Sequence, residues 1–240
     1  MSIRLAKQII YGAFYIVVVL GVLGAIYVLI VGPLTFSPPP VQCVTGCIPV
    51  GTGPIGTSTV SVFSTTPGDY TFLAQVINND TDYGAQVFDY DIDIYGPSGG
   101  LITSVPAQSF IYADQNKYLV VPNIQTQGTI DHATLRVVDA AWIASSTLGA
   151  IPQFSTQNIQ DTIGSSTVSV SGQLLNTNIG SYEKVIVVVL FDGSNGSPIG
   201  SSQTELDNVQ PDQTVNFSVL YPAVPGINPA LSQVIIYALR

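Results

Sequence analysis

Residues Gln86–Tyr95 read QVFDYDIDIY. Phe88, Tyr90, Ile92 and Ile94 share one parity, and Asp89, Asp91 and Asp93 share the other. Successive side chains of an extended chain point to opposite faces, so this stretch predicts a strand with one buried and one wet face. GPSGG at 96–100 supplies a turn after it. TFLAQVIN (Thr71–Asn78) alternates before it, and LITSV, SFIY, KYLVV and ATLRVVDAAWIA follow as further strands. Trp142, the only tryptophan, is expected in core or inter-domain packing. Residues 143–166, with Pro152 and many Ser, Thr and Gln, read as loose chain.

A second β set then begins: TVSVSGQLLN, EKVIVVVLFD, SPIGSSQTEL, QTVNFSVLYP and SQVIIYALR, with YPAVPGINPAL at 221–231 as a loop. KVIVVVLF is apolar on both parities, the pattern of a central strand covered on both faces. The two sets look like copies of one unit. QVIN at 75–78 matches QLLN at 173–176, and Asp114-Gln115 matches Asp212-Gln213, both at an offset of 98. IYGPSGGLI at 94–102 parallels LFDGSNGSPIG at 190–200. A unit of about 90 residues with about seven short strands and Gly-rich turns fits an immunoglobulin-like antiparallel sandwich.

The second unit resembles the FxLYD-type extracytoplasmic module. Val170, Gly172, Leu174 and Asn176 match its early V-x-G-x-(L/V)-x-N pattern. Phe191, Asp192 and Gly196 match its strand end, and Pro211, Gln213 and Phe217 its return. Leu190-Phe191-Asp192 stands where the module's name has a Tyr-Asp ending. The whole chain, opening MSIRLAKQIIYG, resembles small uncharacterised single-span membrane proteins of reduced-genome bacteria with β-sandwich ectodomains. The resemblance implies a fold and a location and supplies no activity.

The location has its own signal. Ile9–Val31 is an uninterrupted apolar run without a charge. As a helix it would reach about 34 Å, enough for a hydrocarbon core of about 30 Å. Arg4 and Lys7 precede it, and residues 32–112 contain no Lys or Arg. The positive-inside rule then keeps residues 1–8 in the cytoplasm and exports the rest. Tyr11, Tyr15 and Tyr27 lie toward the ends of the run, and Gly12, Gly21 and Gly24 offer a packing face without a strict G-x-x-x-G. The run is longer than the core of a cleaved signal, and GPLTFSPPP offers no small-x-small cleavage site. PVQC lacks the small residue of a lipoprotein site, and no pilin-type processing site or early acid is visible. An uncleaved signal-anchor is the expectation. Residues 32–58, rich in Pro, Gly, Ser and Thr, read as a semi-rigid stalk. Two sandwiches then occupy 59–145 and 146–240.

Net charge is −9, and the part beyond the span carries four bases against fifteen acids, or −11. That balance argues against nucleic acid and against anionic headgroups. Cys43 and Cys47, in CVTGC, are expected to close a small disulfide loop outside the cytoplasm. An intermolecular link and a redox or metal role are the other readings. Zinc needs about four ligands, and His132 is the only histidine, far away in sequence.

No catalytic or cofactor-binding set is recognised. His132 adjoins Asp131 in TIDHATL, but neighbours in a strand point apart, and no G-x-S-x-G elbow occurs. EF-hand, phosphate-loop and zincin motifs do not occur either. Asp89, Asp91 and Asp93 are weak calcium candidates. Along one strand face they lie about 7 Å apart, too far for one ion needing oxygens at about 2.3–2.6 Å unless the loop Asn78–Asp82 folds beside them. A solvated face that discourages edge pairing is the other reading. Tyr83, Tyr90, Tyr95, Tyr112 and Tyr118 are either a binding patch or strand core.

These features predict a mainly β, membrane-anchored scaffold or protein-interaction module without catalytic activity and with a protein partner in the cell envelope. The alternatives are an accessory subunit of an envelope transport or secretion complex and a calcium-dependent adhesion module.

Overall fold

Strand β4, Tyr83–Tyr95, contains the alternating stretch: Phe88, Tyr90, Ile92 and Ile94 are buried and the three aspartates between them half-buried. The structure, a computed structural model, describes residues 53–239. The tip 1–8, the span 9–31, most of the stalk and the Cys43–Cys47 loop lie outside the described residues. Among the described residues, no helix is long and apolar enough to cross a membrane.

The strands of the first set are β1 (Gly56–Thr57), β2 (Ser61–Thr66), β3 (Asp69–Asn78), β4, β5 (Leu101–Ile111), β6 (Gln115–Gln125) and β7 (His132–Ala144). Those of the second are β8 (Phe154–Ile163), β9 (Thr167–Asn176), β10 (Tyr182–Asp192), β11 (Pro198–Val209), β12 (Thr214–Pro222) and β13 (Gln233–Leu239). All pairings are antiparallel. In the first set β3 pairs with β1, β2 and β6, and β4 lies between β5 and β7. In the second β9 lies between β8 and β12, and β10 between β11 and β13. The two sets therefore share one strand plan. Each pair of sheets encloses its own apolar core, centred on Phe72, Val76, Phe88 and Ile92 in the first and on Val170, Val187, Phe191 and Phe217 in the second.

The matches at an offset of 98 have a physical basis. Asn78 ends β3, and its Nδ2 donates to the carbonyls of Tyr83 and Tyr112 at 2.8 Å each, while its Oδ1 accepts from Asp80 N at 3.0 Å. Asn176 ends β9 in the same way, donating to Gly180 O at 2.9 Å and Gln210 O at 3.0 Å and accepting from Asn178 N at 3.0 Å. Gln115 Oε1 accepts from Tyr112 N at 2.9 Å, and Gln213 Oε1 from Gln210 N at 2.7 Å. Asp114 and Asp212 both take positive φ, 51° and 56°, a conformation Asp tolerates better than branched residues do. The repeated letters are thus the polar atoms that tie one turn to the end of the central strand. The Gly-rich turns match too: Gly96 N donates to Gly100 O at 3.0 Å and Gly193 N to Ser197 O at 2.9 Å.

A third core lies between the two sets. Leu73, Phe110, Tyr112 and Val120 of the first pack with Val188, Leu190 and Tyr237 of the second. Strand β10 explains it. Val185, Val187, Val189 and Phe191 point into the second core, while Val188 and Leu190 face the first set, with Ile186 partly buried beside them. A strand apolar on both parities is here covered by its own sandwich on one side and by its neighbour on the other. Each such side chain contributes about 1.5–3 kcal/mol of burial.

Two boundaries differ from the sequence reading. Ile55 is buried in the first core and Gly56–Thr57 pairs with Val76–Ile77, so the end of the predicted stalk belongs to the sheet. Residues 154–163 form β8 where loose chain was expected; its residues from Thr156 onward are all exposed, so an edge strand with little apolar alternation hid the pairing. The first set has seven strands, β1–β7, and the second six, β8–β13, close to the seven or so expected of each. Trp142 is partly buried against the first core, which settles the two readings of it.

Candidate functional site

The aspartate stripe of β4 lies on the outer face of the sheet β5–β4–β7. Each carboxylate is engaged by the residue directly across from it. Gln108 donates to Asp89 at 2.7 Å, Arg136 to Asp91 at 2.5 Å and Ser104 to Asp93 at 2.6 Å; Arg136 Nε also lies 3.6 Å from Asp93. These are cross-strand pairs, the ordinary unit of sheet stabilisation. The loop Asn78–Asp82 does not free ligands for an ion: Asp80 Oδ1 accepts from Asp82 N at 2.8 Å and Tyr83 N at 2.9 Å. Among the described residues no group of three or more His, Cys, Asp or Glu is placed to hold a metal. Millimolar calcium should therefore leave the melting temperature unchanged, whereas a filled site would raise it by mass action. Arg136→Ala should cost no more than about 1 kcal/mol, because the arginine is largely in water.

His132 and Asp131 do not point apart. Asp131 precedes β7, so strand alternation does not apply to it, and its Oδ2 lies 2.8 Å from His132 Nδ1. The ring stacks on Tyr95 with centroids 4.9 Å apart. Both side chains are about half exposed, at 52% and 57%, and the arrangement is that of a surface pair.

The tyrosine group divides by burial. Tyr90 and Tyr112 are buried; Tyr83, Tyr95 and Tyr118 are half-buried. Two of them join the seam between the sandwiches: Tyr112 Oη donates to Ala238 O at 3.2 Å, and Tyr118 N donates to Tyr237 Oη at 2.9 Å. Burial pushes the Tyr237 and Tyr90 hydroxyls up to about 12.

Sequence reasoning missed Lys117. It sits on β6 at 2% exposure, beside the seam. Its Nζ donates to Phe110 O at 2.9 Å and lies 3.1 Å from the centre of the Phe110 ring and 5.2 Å from that of Tyr237. The rings and the carbonyl favour a cation, but removal from water outweighs them and holds the amine well below the usual lysine range. The only signal in sequence was a lone base inside the apolar run KYLVV.

The sign of the pH effect follows. Below the lowered folded-state value both states carry the proton and burial of the cation is fully opposed. Between that value and the ordinary one near 10.4 the unfolded chain binds more protons, so stability rises with pH. Urea unfolding should show a rise approaching at most about 1.4 kcal/mol per pH unit below pH 10. Lys117→Met, which keeps the aliphatic volume, should flatten it; an unchanged slope would place the titration elsewhere. Above pH 10 the buried tyrosines reverse the trend, because only the unfolded chain then loses their protons.

Charge is distributed unevenly. Three bases lie among the described residues before Arg240, against fifteen acids. Lys117 is buried, Arg136 is held by Asp91 and Asp93, and Lys184 is held by Glu205 at 2.7 Å. The described surface is acidic with its bases already engaged.

No protein-family model matches the chain, and no curated protein matches it significantly.

Proposed function

We propose that the chain is a membrane-anchored extracytoplasmic interaction module without catalytic activity, its body built from two immunoglobulin-like sandwiches of the FxLYD type. The observation that carries this reading is the pairing of an uncharged run at 9–31, flanked by bases only on its N-terminal side, with a mainly β body. The chemistry of the body supports it. The acidic stripe is occupied by cross-strand partners, and the lone histidine is a surface pair. The two sandwiches share an apolar seam, which makes them one platform for presenting loops and edges. The same architecture serves many functions, so the partner must be read from a site and not from the fold.

The alternative, an accessory subunit of an envelope transport or secretion complex, makes the span an assembly surface; its support is Gly21 and Gly24, three residues apart, which would share one face of a helical span. One experiment separates the two. Full-length protein and a soluble body are used side by side for capture from native membranes. The body should begin at Gly53, not at Thr59, because Ile55 and β1 belong to the first sheet. Capture of the same partner by both supports the interaction module. Capture by the full-length chain alone supports the accessory subunit, and replacement of the span by an unrelated apolar helix should then abolish it. Capture by neither would defeat both.

A further inference from the structure

The sheet edges of the body are not equally protected. Open edges invite pairing, and proteins blunt them with proline, charge, bulges or short length. β5 carries Pro106, β6 Pro122, β11 Pro198 with Glu205 and Asp207, and β12 Pro222. β7 carries Arg136 and Asp139, β8 carries Asp161 and a break in register, β2 has a break in register, and β1 is 2 residues long. β13 is different. QVIIYAL contains no charge, proline or glycine, and its register with β10 is unbroken from Lys184–Leu239 to Leu190–Gln233. Among the described residues it is the last strand of its sheet, so about every second N–H and C=O points away from β10, while the Ala238 carbonyl also accepts from Tyr112 Oη.

That edge borders a groove of about 460 Å³. Four consecutive residues, Val234–Tyr237, line it. Alternate residues would line a groove beside a sheet face; consecutive ones line a groove that runs along a strand's edge. Its other walls are the segment Ile151–Phe154 with Thr156, and the turn at Asp114. These residues flank the edge of β13 with both polar and apolar side chains.

We infer that the free edge of β13 accepts an extended segment of a partner polypeptide as an added antiparallel or parallel strand, and that the segment is apolar in alternation and basic. This deepens the interaction-module reading and rests on it. Main-chain hydrogen bonds to β13 supply affinity, and alternate side chains supply fit. The basic character follows from charge. Asp114, the one charged residue lining the groove, is exposed on its rim, and among the described residues the body carries a large acidic surplus, with Arg136 and Lys184 ion-paired and Lys117 buried. A second copy would bring the same net charge of −9, so self-association through this edge is opposed by repulsion.

The test uses the full-length chain in detergent and a fluorescent peptide, Lys-Thr-Val-Thr-Val-Thr-Val-Lys. The expected result is saturable binding with slowed amide exchange confined to alternate residues of Gln233–Leu239. Methylating alternate peptide amides, or replacing both peptide lysines by glutamate, should weaken binding at least tenfold. Thr156→Trp, at an exposed wall position, should weaken it similarly without changing the melting temperature. Thr156→Arg repeats the block with a charge and serves if the tryptophan perturbs folding. Asp114→Asn, which keeps a residue tolerant of positive φ, should weaken binding severalfold and reduce its salt dependence. No saturable binding, protection at another edge, or binding indifferent to both Thr156 variants would overturn the inference. So would concentration-dependent dimerisation lost in Thr156→Trp, which would make the occupant a second copy. If the soluble body captures a partner equally well with and without Thr156→Trp, the interaction module stands and this site for it falls.

Discussion

Leu190→Asp should destabilise the body by more than about 4 kcal/mol, because it combines lost apolar burial with a carboxylate placed where water does not reach. Leu190 is 1% exposed and belongs to the seam, not to either sandwich's own core. For a body of this size the melting temperature should fall by about 8 °C or more. Calorimetry of the full-length chain gives the sharper readout. The unmodified protein should melt in a single transition, because the seam couples both sandwiches. The variant should show two, as each sandwich keeps its own core while the contact between them is lost. Leu220→Asp is the matched control: Leu220 is 60% exposed on β12, so the change should stay within about 0.5 kcal/mol. A single transition in the variant, or equal effects of the two substitutions, would mean that the seam does not couple the sandwiches.

Asn176→Ala should cost about 3 kcal/mol. The side chain is fully buried and serves two strong acceptors, Gly180 O and Gln210 O, and one donor, Asn178 N. Truncation leaves these backbone groups without that partner, and a buried unsatisfied group costs about 1–3 kcal/mol. Asn78→Ala should behave alike in the first sandwich, since its three bonds are equivalent. Asn176→Asp is a stricter test. It keeps the shape and the acceptor but turns a donor into an anion facing two carbonyl oxygens, so it should destabilise at least as much as alanine. Denaturant midpoints of the three variants check this; a loss below about 1 kcal/mol in both alanine variants would mean that solvent or local rearrangement satisfies the turns.

Much of the β architecture was readable before any coordinates. Period-two alternation in β4 stated which residues go inside, because extended backbone leaves only two faces to choose between. The double apolar parity of KVIVVVLF stated that β10 is covered twice. The offset of 98 marked Asn78, Asn176 and the two Asp-Gln pairs, since a buried asparagine serving three backbone groups has no equal-shaped substitute that keeps both donor and acceptor. β8 was not readable: its pairing rests on backbone hydrogen bonds, and those leave no trace in a side-chain pattern when both faces are wet. The sequence also marked the acidic stripe but not the partners of its carboxylates. Whether a carboxylate is free depends on the strands opposite: Ser104 and Gln108 come from β5, the next strand across a hairpin turn, whereas Arg136 comes from β7, far away in the chain.

The chain by itself determined the identity of every long strand but β8, the inward faces, the Gly-rich turns and an uncharged run of membrane-spanning length, because each of these depends on local periodicity or on nearest neighbours. Tertiary structure alone decided that the second cover of β10 is the other sandwich, that Lys117 is buried against aromatic rings, and that β13 is the edge strand without charge, proline, glycine or a break in register among the described residues. Those outcomes depend on which distant surfaces meet, and a burial free energy that is non-directional does not encode its partner in the sequence of either surface.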